Sequence, residues 1–323
     1  MTLQEFRTAL NAWGKAKIPF FFCVDFELEK PIAFKLHEVN PAEILFNING
    51  FSNSKQTNGI SSVPSLKKFP IGFSEYEQKF SKVFERLAYG DSFLTNLTIK
   101  TKIEAERSLP DLFHCVTAKY KLLVNNQFLV FSPETFVRMR DGKIFSYPMK
   151  GTIDAAIPNA AHVILNDQKE KAEHITIVDL IRNDLSLVSE NVHVSKFRFI
   201  DEIKTNNKNL LQVSSEITGT LPDGYSAHLG DILISLLPAG SISGAPKQKT
   251  CEIISAAEQE KRGYYTGVFG YFDGTMLDSG VMIRFIEQAD NQLYYRSGGG
   301  ITTQSDAQTE YQEAIDKVYV PVT

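Results

Sequence analysis

The sequence has few cysteines, no long apolar run and no cluster of basic residues, and each absence argues against a class of protein. Its three cysteines, Cys23, Cys115 and Cys251, are odd in number, far apart and in no CxxC pair. This usage predicts reduced thiols and a cytoplasmic protein. No apolar stretch reaches the roughly 18 residues that a membrane span needs, so no membrane partner is expected. With a net charge of −4 and no Lys/Arg-rich run, nucleic acid is not expected either.

Several short motifs are also missing. The first residues, MTLQEFRTAL, lack a basic region followed by an apolar core, which predicts no signal peptide. The stretch PAGSISGAPK (238–247) lacks the adjacent Gly-Lys-Ser/Thr of a phosphate loop. No cysteine lies in a Gly-x-Cys-x-Gly setting, so we expect no glutaminase nucleophile in this chain.

Tight turns between strand-like runs are the clearest structural signal that is present. Asp141-Gly142, Asp273-Gly274 and Asp290-Asn291 each separate two such runs and predict antiparallel hairpins. Apolar residues at helical spacing mark five other segments: 74–90, 167–183, 229–236, 246–263 and 305–318. The pattern predicts an α+β fold of mainly antiparallel sheets with helices outside, in one domain over residues 1–323.

Carboxylates form the first candidate site. Glu310, Glu313 and Lys317 share one face of the last predicted helix, which Ser305 is expected to cap. Glu173 lies among apolar residues of the helix KAEHITIVDLI, where an unpaired carboxylate would be costly. Carboxylates without a Cys/His cluster suit a hard cation such as Mg²⁺. A solvated surface face is the alternative for the last helix.

Three other polar residues stand in unusual places. In FSYPMKGTIDA, Lys150 is expected where a strand ends, between Pro148 and the permissive Gly151. Glu134 follows a proline at another strand end. Arg284 alternates out of an apolar strand, where an inward guanidinium needs an anion. SGGGIT (297–302), expected between a strand and a helix, could bind an anion, although a tight turn is the favoured explanation of this stretch taken alone.

Together these stretches resemble the chorismate-utilising enzymes, which include anthranilate synthase component I, aminodeoxychorismate synthase component I, isochorismate synthase and salicylate synthase. The resemblance covers residues 90–320, after a shortened amino-terminal part (1–89). It implies two large sheets packed face to face with helices outside. The matching strings, in order, are SPETF, YPMKGT, KAEHITIVDLIRNDLS, PAGSISGAPK, GVFGYFDGTMLDSGVMIRF and SGGGITTQSDAQTEYQEAIDK.

The resemblance also implies roles for the residues at matching positions. Glu173 and Glu313 would hold Mg²⁺, with Glu310 acting through water, and chorismate would bind this metal through its ring carboxylate. Glu134 matches the general acid that protonates the departing C4 hydroxyl. Arg284 and the backbone at Gly299 would take the enolpyruvyl carboxylate. The positions that match substrate contacts are Thr152, Ser243, Tyr265, Arg284, Gly299 and Lys317.

Lys150 selects one reaction within the resemblance. PMKGT is similar to the PIKGT of aminodeoxychorismate synthases, whereas anthranilate and isochorismate synthases carry alanine there. The lysine implies that its amine adds to ring C2, that the C4 hydroxyl leaves, and that ammonia adds at C4 to give 4-amino-4-deoxychorismate. Because the amine must be neutral to attack, we expect its pKa to be lowered. Anthranilate synthesis with pyruvate release, isochorismate or salicylate synthesis, and a non-catalytic anion-binding module remain alternatives.

Some positions depart from the pattern. Leu94 stands where aminodeoxychorismate synthases usually have glutamine, Gln212 where most of the family has histidine, and Ile153 where an arginine is usual. No tryptophan-site motif is found, so we expect no tryptophan feedback. Ammonia is expected from a separate glutamine amidotransferase subunit. The polar stretch 48–72, predicted to be a surface loop, is a candidate contact for it.

Overall fold

In the computed structural model, residues 1–54, 65–203 and 209–321 are described, and they form nine α-helices and eighteen strands. The helices are α1 Leu3–Lys15, α2 Phe73–Tyr89, α3 Leu109–Cys115, α4 Ala160–Asn166, α5 Gln168–Ser186, α6 Leu229–Leu236, α7 Gly240–Ser243, α8 Lys247–Glu258 and α9 Ala307–Asp316. None of the helices within these ranges has the length and apolar character needed to cross a membrane.

The strands form two nine-stranded sheets in which all the strand pairs are antiparallel. The first sheet contains β1 Phe20–Val24, β2 Ile32–Lys35, β9 Thr135–Arg140, β10 Lys143–Ser146, β11 Met149–Asp154, β12 Glu190–Ile203, β13 Leu210–Thr220, β15 Val268–Phe272 and β16 Leu277–Val281. The second contains β3 Ile44–Ile48, β4 Phe51–Ser52, β5 Leu66–Phe69, β6 Leu94–Ala105, β7 Tyr120–Val124, β8 Phe128–Ser132, β14 Gly244–Ala245, β17 Phe285–Ala289 and β18 Gln292–Ile301.

Strand β1 shows how the layers are held together. Its five residues are buried and alternate between two apolar clusters. Phe21 and Cys23 pack between the sheets against residues such as Phe46 of β3. Phe20 and Phe22 point to the other side, where helices α1, α5 and α6 cover the sheet. Burying each phenylalanine contributes about 1.5–3 kcal/mol. The predicted fold of two antiparallel sheets with helices outside is therefore confirmed.

The first 90 residues contribute strands to both sheets. Strand β1 lies between β15 and β2 in the first sheet, and β3 lies between β7 and β4 in the second. The amino-terminal part is thus interleaved with later strands, as a single domain requires. That residues 1–323 form one domain stays a prediction.

Two predicted turns have the backbone that their sequences favour. Asp141 and Gly142 connect β9 to β10, and Asp290 and Asn291 connect β17 to β18, all four with positive φ. Two consecutive positive φ values match the twist of antiparallel strands. The polar stretch 48–72 is only partly a loop, because β4 and β5 lie within it. Residues 55–64 of this stretch lie outside the described residues.

The prediction that Arg284 alternates out of a strand is wrong. Strand β16 ends at Val281 and β17 begins at Phe285, and the two strands belong to different sheets. Arg284 has a φ of +54° in the short crossover between them. The chain must change direction to pass from one sheet to the other, so the apolar run cannot continue as one strand.

Lys150 lies inside a strand rather than at the end of one. The register of β11 against β13 shifts between Met149 and Thr152, which marks a bulge at Lys150 and Gly151. Gly151 has a φ of +86°, which glycine adopts without strain. A bulge re-aims the side chains beside it, and bulges are common next to active sites.

The glycine stretch and the cap of the last helix also differ from expectation. Residues 297–301 are the end of strand β18, paired with β6, and not a loop. A Cβ at residue 298 would lie 2.1 Å from the carbonyl oxygen of Leu97, so glycine is needed for this close pairing. Helix α9 is capped by Asp306, which accepts from the backbone of Thr309 at 2.9 Å, and not by Ser305.

Candidate active site

Strand β11 and helix α5 bring Lys150 and Glu173 together. Asp167 caps α5 by accepting from the backbone N–H of Glu170, and Ile177 and Leu180 bury the face that also carries Glu173. The Nζ of Lys150 lies 2.7 Å from Oε2 of Glu173, whose side chain is only 10% exposed. The carboxylate that sequence reasoning found costly to bury therefore has an ammonium partner.

This ion pair changes what Lys150 can do. Burial alone would lower the pKa of the Lys150 amine, but the charge and hydrogen bond of Glu173 raise it above its usual value. The expected lowering of this pKa is therefore not found. The reason is that the carboxylate predicted to bind metal is also the partner of the lysine. Lys150 can act as a nucleophile only after its ammonium group is deprotonated.

Strand β18 and helix α9 form the second part of the cluster. Lys317 contacts Oε1 of Glu313 at 2.5 Å and donates to the carbonyl oxygen of Gly298 at 2.9 Å. A Cβ at residue 299 would lie 3.3 Å from Oε2 of Glu310 and 3.6 Å from Nζ of Lys317. Gly299 thus lies directly beside these charged groups, and any side chain there would crowd them.

The environments of the α9 groups differ although they share one face. Glu310 is buried, accepts from the hydroxyl of Ser305 at 2.8 Å, and has its pKa raised by burial. Burial would also raise the pKa of Glu313, but the neighbouring Lys317 holds it below its usual value. Burial lowers the pKa of Lys317. The charge of Lys150 lowers the pKa of both glutamates, so the two parts of the cluster lie within electrostatic range of each other.

Glu170 belongs to the same cluster, although the sequence motifs did not identify it as a site residue. Its Oε2 would lie 3.0 Å from a Cβ at residue 151, and burial raises its pKa. This Oε2 is buried without a hydrogen-bond partner. The signal was available, because Glu170 precedes Glu173 by three residues and so lies on the same helical face, as Glu310 and Glu313 do.

The cluster fits a hard cation by its donor chemistry. Mg²⁺ prefers carboxylate oxygens and keeps several waters, and the buried Oε2 of Glu170 has no other partner. Within the described ranges, however, no three acidic, histidine or cysteine side chains converge closely enough to enclose a metal ion. Lys150 and Lys317 now neutralise Glu173 and Glu313, so a cation would have to compete with these two ammonium groups.

Glu134 lies in a second group of polar side chains. Its carboxylate accepts a short hydrogen bond from the hydroxyl of Ser241, a partner that sequence reasoning missed. Burial raises the pKa of Glu134, opposed by Ser241 and the charge of Arg284. Arg284 stacks on the ring of Tyr319 with its guanidinium 5.2 Å from the ring centre, and its charge also acts on Lys317. Arg284 thus connects the acid to the carboxylate cluster.

The other predicted substrate contacts lie in different surroundings. Thr152 is exposed on β11, and its hydroxyl accepts a long, 3.5 Å hydrogen bond from Gln212. Tyr265 is buried against Phe285, and burial raises its pKa to about 12. Ser243 is fully buried and donates to the carbonyl of Ala239 at 3.0 Å, so its hydroxyl proton is used within α7.

Comparison with known proteins decides the family. The sequence model of the chorismate binding enzymes matches residues 30–323. The chain belongs to this family. An uncharacterized PabA-like protein of Haemophilus influenzae is 51% identical over 99% of this chain and 98% of its own length.

More distant members of the family carry named activities. Aminodeoxychorismate synthase component 1 of Salmonella typhimurium is 34% identical over 76% of this chain, which spans 56% of that relative. The menaquinone-specific isochorismate synthase MenF of Escherichia coli is similar in structure, with a TM-score of 0.72 over 97% of this chain and 80% of that one. At 16% identity, this likeness shows the fold alone.

Proposed function

We propose that this chorismate binding enzyme converts chorismate and ammonia to 4-amino-4-deoxychorismate, with Lys150 as nucleophile. The observation that carries the proposal is the position of Lys150, which lies within the carboxylate cluster and 2.7 Å from Glu173. A lysine held there for solubility would have no reason to be partly buried against an acid. The similarity to an aminodeoxychorismate synthase component adds support.

In this proposal, different charged groups bind the two carboxylates of chorismate. Mg²⁺ held by Glu173 and Glu313, with Glu310 acting through water, would bind the ring carboxylate of chorismate and neutralise its charge. Arg284 and the backbone of Gly299 receive the enolpyruvyl carboxylate. A guanidinium can form two parallel hydrogen bonds to a carboxylate, which fixes the orientation of the ring. Thr152, Ser243, Tyr265 and Lys317 are the further proposed contacts.

The bond-making steps use Lys150 and Glu134. The Lys150 ammonium first gives up its proton, for which the Glu173 carboxylate is an acceptor in contact. The neutral amine then forms a bond to ring C2, and the two double bonds of the ring shift. The protonated carboxyl of Glu134, a form that burial favours by raising its pKa, would supply the proton with which the C4 hydroxyl leaves as water. Ammonia then bonds to C4, and the C2–N bond to Lys150 breaks.

The proposal is tested by identifying the product. The purified chain is mixed with chorismate, ammonium and Mg²⁺, and the products are identified by mass, with pyruvate measured in parallel. We expect a product in which the chorismate hydroxyl is replaced by an amine, without pyruvate. Anthranilate with an equal amount of pyruvate would support anthranilate synthesis and overturn the proposal.

Glu134→Gln tests the general acid. The substitution keeps the size of the side chain and its contact with Ser241 but removes the acidic proton. We expect kcat to fall about 10²- to 10⁴-fold while the KM for chorismate changes little, because proton donation matters only in the transition state. Glu287→Gln on β17 is the control. A rise in KM at unchanged kcat would assign Glu134 to binding instead.

Glu313→Gln tests the metal site. Mg²⁺ affinity, measured by isothermal titration calorimetry without substrate, should fall about 10- to 100-fold because a charged oxygen ligand is lost. Asp316→Asn is a matched control, since Asp316 lies on the same helix and contacts Gln312 instead of the cluster. Equal Mg²⁺ affinity in both variants would remove Glu313 from the metal site.

A further inference from the structure

A small cavity lies beside Glu134. Its volume is about 20 Å³, enough for one molecule the size of water. Strand β9, residues 146–148, and helices α5, α6 and α7 line it. Its apolar lining comes from seven buried residues, which are Phe136, Val137, Pro148, Ile181, Leu185, Leu236 and Ala239.

Several polar groups of the lining already have protein partners. Glu134 accepts from Ser241, and Asp184 is neutralised by Lys247 at 2.9 Å. The hydroxyl of Ser146 donates to the carbonyl of Phe136 at 3.1 Å. While the Glu134 carboxyl is protonated, an ion placed among these groups and the apolar side chains would lose its hydration without a compensating charge, which is costly. The cavity therefore suits a small neutral molecule.

Glu134 and Ser241 connect this cavity to the active site. Both line the cavity and both are partly exposed, whereas the apolar lining residues are buried. A molecule in the cavity therefore contacts the carboxyl that, in the proposed reaction, also faces C4 of the ring. Glu134 is the lining residue that, in the proposed reaction, can donate a proton to the group on C4 and also accept one from it.

We propose that this cavity holds the neutral ammonia that attacks C4, with Glu134 as its proton acceptor. The inference rests on the proposed function and assigns the nucleophile of its second half to a place in the fold. It also explains why the acid lies at the boundary between an apolar cavity and a charged site.

The proton and electron balance closes over the two halves. In the first half, Glu134 gives its proton to the C4 oxygen, the C–O bond breaks, and water leaves while C2 carries the Lys150 nitrogen as a positively charged amine. In the second half, the ammonia lone pair forms the C4–N bond, the double bonds shift back, and the C2–N electron pair returns to Lys150. The new C4 ammonium then gives one proton to the Glu134 carboxylate. Glu134 ends protonated, as it began, and the neutral Lys150 amine takes back its proton from Glu173.

Filling the cavity tests the inference. Val137→Ile adds one methyl group to the lining, and Val178→Ile makes the same change in the same apolar cluster, at a residue that does not line the cavity. With saturating chorismate and Mg²⁺, we expect Val137→Ile to raise the KM for ammonium about tenfold. The KM for chorismate should stay within about twofold, and the control should match the wild type.

A second test enlarges the cavity. Methylamine has one more heavy atom than ammonia, so the wild-type cavity should exclude it. The Cδ1 of Ile181 lies beside Gly240, and Ile181→Val removes this atom. We expect Ile181→Val to form the N-methylamine product, identified by its mass, whereas the wild type forms only the product of ammonia. This gain of activity requires a folded enzyme, so it does not depend on the stability of Val137→Ile.

The outcomes separate this inference from the proposed function. If the wild type forms the amine but Val137→Ile leaves the KM for ammonium unchanged, the cavity does not hold ammonia and the reaction stands. The same conclusion follows if the wild type already uses methylamine as well as ammonia. If the wild type forms no amine from ammonium, the proposed function fails, and the cavity inference fails with it.

Discussion

Lys150→Ala should reduce formation of the C4 amine by at least about a thousandfold, because it removes the amine that bonds to ring C2 in the proposed reaction. The product is quantified by mass with ammonium, chorismate and Mg²⁺ in excess. The fold should be retained, since Lys150 is partly exposed and lies at a bulge instead of in the apolar core, and Glu173 keeps Lys169 as a nearby cation. Circular dichroism and the unfolding midpoint check this point.

Two control variants separate the nucleophile from the ion pair. Lys150→Arg keeps a positive charge beside Glu173 but cannot supply a neutral amine. Lys169→Ala removes the other lysine near Glu173, whose Nζ lies 3.9 Å from Oε1 and whose side chain is 49% exposed. We expect Lys150→Arg to be as inactive as Lys150→Ala and Lys169→Ala to remain active. Substantial turnover in Lys150→Arg would show that only the charge is required.

The second large effect concerns stability. Arg262→Met should lower the free energy of unfolding by about 3–5 kcal/mol, because it leaves Glu258 as a buried carboxylate without its cation. The two side chains are 1% and 2% exposed, and the guanidinium contacts both carboxylate oxygens at 2.6 and 2.9 Å. Urea unfolding followed by circular dichroism measures the loss.

The same arginine joins three parts of the molecule. It also donates to the carbonyls of Ile242 in α7 and Asn96 in β6, at 3.0 and 2.9 Å. Lys261→Met is the matched control, since the adjacent Lys261 also pairs with a glutamate, Glu29, but at the exposed surface. Water and salt screen such a pair, so its loss should change the urea midpoint little. Equal midpoints for the two variants would mean that burial of the Arg262 pair contributes nothing.

Local sequence patterns predicted many elements of the fold. Helix α6 begins and ends as its apolar spacing indicates, at Leu229 and Leu236, and the Asp141-Gly142 hairpin forms with both residues at positive φ. Such elements depend on residues close together in the chain, whose preferences are local. The predicted boundaries of strands were wrong where the pairing partner of a strand is distant in the sequence. The run around Arg284 looks like one strand but divides between two sheets.

In the candidate site, too, local features could be predicted from the sequence and contacts between distant residues could not. The carboxylates on α9 and α5 could be found from their spacing, and Glu170 could have been found in the same way. The hydrogen bond from Ser305 to Glu310 and the one from Ser241 to Glu134 could not, because a side chain's partner depends on packing between separate elements.

By itself, the sequence determined the antiparallel character of the sheets, the positions of most helices, and the residue types of the proposed site. These follow from local periodicity, turn chemistry and the cost of leaving carboxylates unpaired. Only the tertiary structure decided that Lys150 pairs with Glu173, that its pKa is raised and not lowered, and that a cavity lies beside Glu134. Charge states and cavities arise from burial and from contacts between distant segments, and neither is encoded at one position of the chain.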